Sequence, residues 1–177
     1  MTTRRSGFLG LASATVLVIG ILFLGSVPQV GAETLTFKGL NHVTRAEVVP
    51  IADVEGHAIS LFVREGAIVF QNGEWAWTKT TTVNDTVKGA GTADAYSTYT
   101  FLDGSTFIMR RKGTIEATPQ GVSSAAKWSG DILSGTGRFQ GIKGTVTFST
   151  KLLPVEKGEL GPKVLSEGNV VYTLPGK

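Results

Sequence analysis

From residue 33 onward the chain is a succession of segments rich in Thr, Val, Phe and Tyr, and none of it sustains a 3.6-residue apolar period. The segments fall at 33–39, 57–64, 66–70, 74–83, 95–102, 105–117, 125–133, 144–153 and 165–174, which makes about eight strands. Asn72-Gly73 and Asp103-Gly104 tolerate positive φ and predict two-residue hairpins. The glycine-bearing stretches 84–94 and 156–163 read as longer surface loops, and no linker or second domain is visible. Sequential antiparallel strands on one small core make an up-and-down meander, whose two exposed edges disappear if the first and last strands pair. The expectation is an all-β chain: a single eight-stranded antiparallel up-and-down β-barrel, calycin-like, whose lumen is filled or holds one small ligand.

Ahead of this region stand Arg4-Arg5, the apolar run Val16 to Leu24, Pro28 and then Val30-Gly31-Ala32. That order predicts a signal peptide over residues 1–32, cleaved after Ala32, and a secreted or periplasmic barrel domain over 33–177. The alternative for Phe8 to Val27 is an uncleaved membrane anchor, the one membrane contact this sequence suggests. Arg4-Arg5 also raises twin-arginine export, although Phe8 lies one position late for that signal. Loss of 1–32 removes two arginines and no acid, leaving 15 basic and 14 acidic residues, so the basic pI carries little functional meaning. Arg110-Arg111-Lys112 is too short a basic run to predict nucleic-acid binding. With no cysteine, thiolate catalysis and cysteine-ligated metal are excluded, and the core must hold the fold without disulfides.

The stretch "SGTGRFQGIKGTVTF" superficially suggests a phosphate cradle. A cradle needs a helix after its glycines, whereas the residues after Gly141 alternate as a strand does. Gly135, Gly137, Gly141 and Gly144 are instead read as a tight, bulged connection between strands, with Gly137 in a conformation costly to other residues. The stretch resembles the glycine-rich hairpin of the allene oxide cyclase and dirigent barrels, in which G-[TS]-G-x-F-x-G-x-x-G recurs. Gly135, Thr136, Gly137, Phe139, Gly141 and Gly144 carry the match, and "YTFLDGSTF" is similar to secreted bacterial members. The resemblance spans roughly 57–174 and implies a barrel that holds a flexible apolar molecule and restricts its conformations. The plant cyclases carry a Glu and an Asn two apart on the first strand, where "TLTFKGLNH" offers Lys38 and Leu40.

Few residues suggest chemistry. His42 and His57 with Glu47 could supply three metal ligands, but nothing in their spacing fixes that geometry, so no metal site and no cofactor are assigned. No Gly-x-Ser-x-Gly elbow occurs, and Asn84-Asp85-Thr86 is a glycosylation sequon if the source is eukaryotic. Strand phase is more informative. On 57–64 the apolar set Ile59, Leu61 and Val63 is expected inward, with Ser60 and Arg64 outward. On 105–117 the inward set is Phe107, Met109, Arg111 and Ile115, which makes Arg111 a lone cation on an apolar face. A ligand carboxylate would satisfy it. Tyr99 joins it from 95–102, and Trp75 and Trp77 share a face that stacks a ligand ring or fills the lumen. The expected lumen set is therefore Arg111, Tyr99, Trp77, Trp75, Phe107 and Met109, with no catalytic residue assigned. The functional classes are a binder of a small apolar, carboxylated or phenolic molecule, a cofactor-free isomerase or cyclase, and a structural barrel with a filled lumen. Homo-oligomerisation is compatible with each.

Overall fold

A computed structural model describes residues 31–175; the expected signal peptide, apart from Gly31 and Ala32, lies outside the described residues. The chain forms β1 (Glu33–Pro50), β2 (His57–Phe70), β3 (Trp75–Val87), β4 (Ala90–Phe101), β5 (Thr106–Ala117), β6 (Ser123–Gly135), β7 (Lys143–Leu152) and β8 (Val164–Thr173). Each strand pairs antiparallel with its sequence neighbours, and β1 closes on β8 from Glu33 opposite Tyr172 to Asn41 opposite Val164. The result is the closed eight-stranded up-and-down barrel that the strand pattern predicts. Closure satisfies the ladder bonds that an open meander would leave at its edges.

The first strand, expected over 33–39, runs on to Pro50, and three further features differ from the sequence expectation. The segments 57–64 and 66–70 are one strand, β2, paired without a register break to β3 from His57 opposite Val87 to Val69 opposite Trp75. The stretch 84–94 is no long loop: β3 and β4 meet in a two-residue turn at Lys88 and Gly89, both at positive φ (49° and 78°). Asn72-Gly73 and Asp103-Gly104 do mark hairpins, but one residue longer than expected. Phe70 N–H donates to Glu74 and Gly73 N–H to Phe70, and Phe101, Gly104 and Ser105 repeat the arrangement. This is the three-residue loop in which a left-handed glycine follows a turn.

One half of the lumen is largely filled by aromatic side chains, with a smaller cavity of about 280 Å³ left at its end beside Glu33, Arg138 and Tyr172. Phe37, Phe70, Phe101, Phe107 and Phe139 form a buried cluster with Tyr99, Met109, Ile132 and Tyr172. Its rings meet at 4.8 to 6.2 Å, as for Tyr99 on Phe107 (4.8 Å) and Phe37 on Phe70 (6.2 Å). Arg138 caps this end, its guanidinium 4.8 Å from both the Phe101 and Phe139 rings and paired to Glu74 at 2.6 Å. The β6–β7 connection that delivers Phe139 and Arg138 is the glycine stretch. After Gly135 it makes a 3-10 helix, Gly137–Phe139, and Gly137 has φ 58°. A Cβ on Gly137 would lie 2.4 Å from Ser105 Oγ, so conformation and space both require glycine there.

Candidate functional site

The opposite end of the barrel is open. A cavity of about 530 Å³ runs inward from the mouth formed by the β5–β6 and β7–β8 connections, where Val122, Leu153 and Pro162 line it. Its size falls within the roughly 300–1,000 Å³ of small-molecule sites. Phe62, Ile115, Trp128, Phe148 and Val164 give it apolar walls, and its floor is polar.

Arg111 forms that floor. It projects inward from β5, as the odd-numbered phase predicts, and is 7% exposed. Its Nη1 donates to Ser97 Oγ and, at 3.4 Å, to Tyr99 Oη; Nη2 donates to Thr80 Oγ1 at 3.4 Å. The guanidinium lies 5.3 Å from the Trp128 ring and 5.0 Å from the Phe148 ring, which stack on each other at 5.9 Å. Burial in this surround pushes the Arg111 pKa down.

Arg64 is the residue that sequence reasoning missed. It faces the cavity from β2, donates from Nη1 to Thr82 Oγ1 at 3.3 Å and lies 4.6 Å from the Phe62 ring centre. Burial, and then the nearby charge of Arg111, lower its pKa to about 10, which leaves it a cation at neutral pH. Among the described residues neither arginine forms an ion pair, and the Nε of each is buried without a partner. Asn84 adds a buried amide oxygen with no donor.

The inward expectation for Ile59, Leu61 and Val63 is corrected: the inward set of β2 is Ser60, Phe62, Arg64, Gly66, Ile68 and Phe70. Side chains alternate strictly along a strand without a bulge. Burial of Ile68 and Phe70 in the closed half therefore carries the even-numbered phase through to Arg64. Treating 57–64 as a separate strand hid that continuity.

Trp75 and Trp77 are also corrected. They project from the outer face, edge to face at 5.7 Å, and Trp77 is 59% exposed. The inward positions of β3 are Ala76, Thr78, Thr80, Thr82 and Asn84. The closed half, already filled with phenylalanines, accommodates only Ala76 from this strand, so the more apolar face is the outer one. Tyr99, Phe107 and Met109 do face inward but belong to the packed core beneath the cavity, where Tyr99 supports Arg111. The tryptophan that lines the cavity is Trp128. It fits flat against β5 because Gly113 faces it, where a Cβ would lie 2.6 Å from the indole.

The histidines stand apart from this site. His42 is exposed, and His57 is clasped on the outside between Asp53 (2.6 Å) and Asp85 (2.9 Å), which raises its pKa. The sequon asparagine, Asn84, faces the lumen and is 9% exposed, so it offers no glycosylation site on the folded barrel.

No protein-family model matches the sequence, and no curated protein matches it. Among solved structures the chain is similar to a pterocarpan synthase dirigent protein, at 15% identity over 92% of this chain and 97% of that one, with a TM-score of 0.45. At that level the likeness says nothing about the site, and it does not bear on the allene oxide cyclase side of the resemblance. The barrel stands on its own strand pairing.

Proposed function

We propose that the protein is an exported barrel whose open half-lumen binds a small apolar molecule by an acidic end. The observation that carries this reading is the pair of guanidiniums, buried Arg111 and half-buried Arg64, which meet no carboxylate in an apolar-walled cavity. A buried charge left unpaired costs several kcal/mol, and a ligand anion received by guanidinium donors offsets that cost. The apolar walls contribute about 25 cal/mol per Å² of ligand surface removed from water. Native mass spectrometry of the protein recovered from its source tests the reading. A co-purified anionic molecule of one mass, absent from the Arg64→Met/Arg111→Met variant, is expected; a neutral molecule kept by both would overturn it.

A second reading, cofactor-free isomerisation or cyclisation, is favoured by the donors gathered at the floor: Arg111 with Thr80, Ser97 and Tyr99. Fixed donors can polarise a folded substrate while the walls restrict its conformations. In that case Arg111→Met would lower kcat more than it raises KM.

A further inference from the structure

Arg64 and Arg111 belong to one cradle. Arg64 is opposite Thr80 across the β2–β3 ladder, and Thr80 is opposite Ser97 across β3–β4. Thr80 and Ser97 are the hydroxyls that Arg111 reaches from β5, and Thr82, which holds Arg64, is the next inward residue on β3. The two cations thus approach a shared ridge of hydroxyls from opposite sides. Apart from Glu33, which lies at the far, filled end and accepts from Tyr172 Oη at 2.7 Å, inward positions of the eight strands carry no Asp or Glu among the described residues, so the open half of the lumen holds two positive charges and no negative one. Around the pair stand Thr80, Thr82, Asn84, Ser97, Tyr99 and Trp128, none of them a carboxylate, imidazole or amine. His57 is on the outside, with its own carboxylates.

Resting on the reading of the lumen as an anion site, we propose that the head group it takes is a dianion, a phosphate monoester or a paired carboxylate on an apolar body. A monocarboxylate would compensate one guanidinium and leave the other as a net charge in an apolar surround. Two negative charges on one head neutralise both. A compact head with three or four oxygens also gives each planar guanidinium its own acceptor edge. Desolvation and mutual repulsion, which depress the Arg64 pKa, are relieved together by such a ligand.

The test compares octyl phosphate, hexylmalonate, octanoate and octanol by calorimetry on the 33–177 barrel and on the full chain, with Trp128 fluorescence as a second readout. At pH 8 octyl phosphate, hexylmalonate or both should bind at least about tenfold more tightly than octanoate. The two dianions separate a phosphate from a dicarboxylate source. The phosphate advantage should disappear at pH 5, where a monoester, whose second pKa is about 6, carries one charge. Arg64→Met should bring the dianions down to octanoate, and if that variant does not fold, the wild-type pH series decides alone. Equal binding of octanoate and both dianions at pH 8, all tighter than octanol, would overturn the dianion and leave the anion site standing. Octanol binding as tightly as the anions would remove both.

Discussion

Arg111 is surrounded by hydroxyls that hold it and by rings that desolvate it. The charged guanidinium donates three hydrogen bonds to neutral hydroxyls, two of them long at 3.4 Å, and meets no carboxylate to offset a desolvation cost of several kcal/mol. Arg111→Met keeps the bulk, removes the charge and leaves Thr80 and Ser97, 2.6 Å apart, bonded to each other. The empty protein should therefore gain about 1 kcal/mol or more, read as a rise in Tm. A clear fall in Tm would mean that the guanidinium bonds outweigh the buried charge. Trp77, exposed on the outer wall, should have no part in this: Trp77→Ser should leave ligand affinity unchanged, and a loss of affinity on calorimetry would return it to the site. At this scale the sequence was half legible. Arg111 stands out because Phe107, Met109 and Ile115 share its parity. Arg64 has Ile59, Leu61 and Val63 as the more apolar alternative, and only the long-range burial of Ile68 and Phe70 overrules them.

Among the elements, the β6–β7 connection and the mouth clasp do separate work. The connection positions Phe139 in the core and Arg138 over it, and depends on Gly137. Gly137→Val should destabilise by about 2–3 kcal/mol through positive φ and the clash with Ser105. Denaturant unfolding checks this, and an unchanged midpoint would show that the hairpin tolerates a side chain. At the other end His57 ties the β1–β2 turn to β3 through Asp53 and Asp85. The His57 pKa is raised, so its contribution is fully present below the unfolded histidine pKa and lost as pH rises through the folded one. The Asp53 pKa is lowered by the same contact, so its part is present above the unfolded value and lost as pH falls through the folded one. His57→Gln should therefore lower Tm more at pH 5.5 than at pH 8.5; an equal or reversed difference would contradict the clasp. Strand number, hairpin positions and the glycine connection were legible because turn chemistry is local. The Lys88-Gly89 turn was not, since lysine seldom takes positive φ and does so here between strands already paired on both sides.

As a whole molecule the barrel is divided into a phenylalanine-filled half and an open half, with Arg111 and its hydroxyl partners between them. The filled half carries the apolar core and fixes strand phase; the open half carries the polar side chains Arg64, Arg111 and Asn84. This division was invisible in the sequence, because alternation gives a face for each strand but not which stretch of the shared lumen is occupied. The central claim is that the open half selects an anion. Calorimetric titration of octanoate and methyl octanoate at neutral pH, into wild type and Arg64→Met/Arg111→Met, tests it most directly. The acid should bind wild type at least about tenfold more tightly than its ester, and the double variant should bind the two alike. Equal binding of acid and ester by the wild-type barrel would contradict the account.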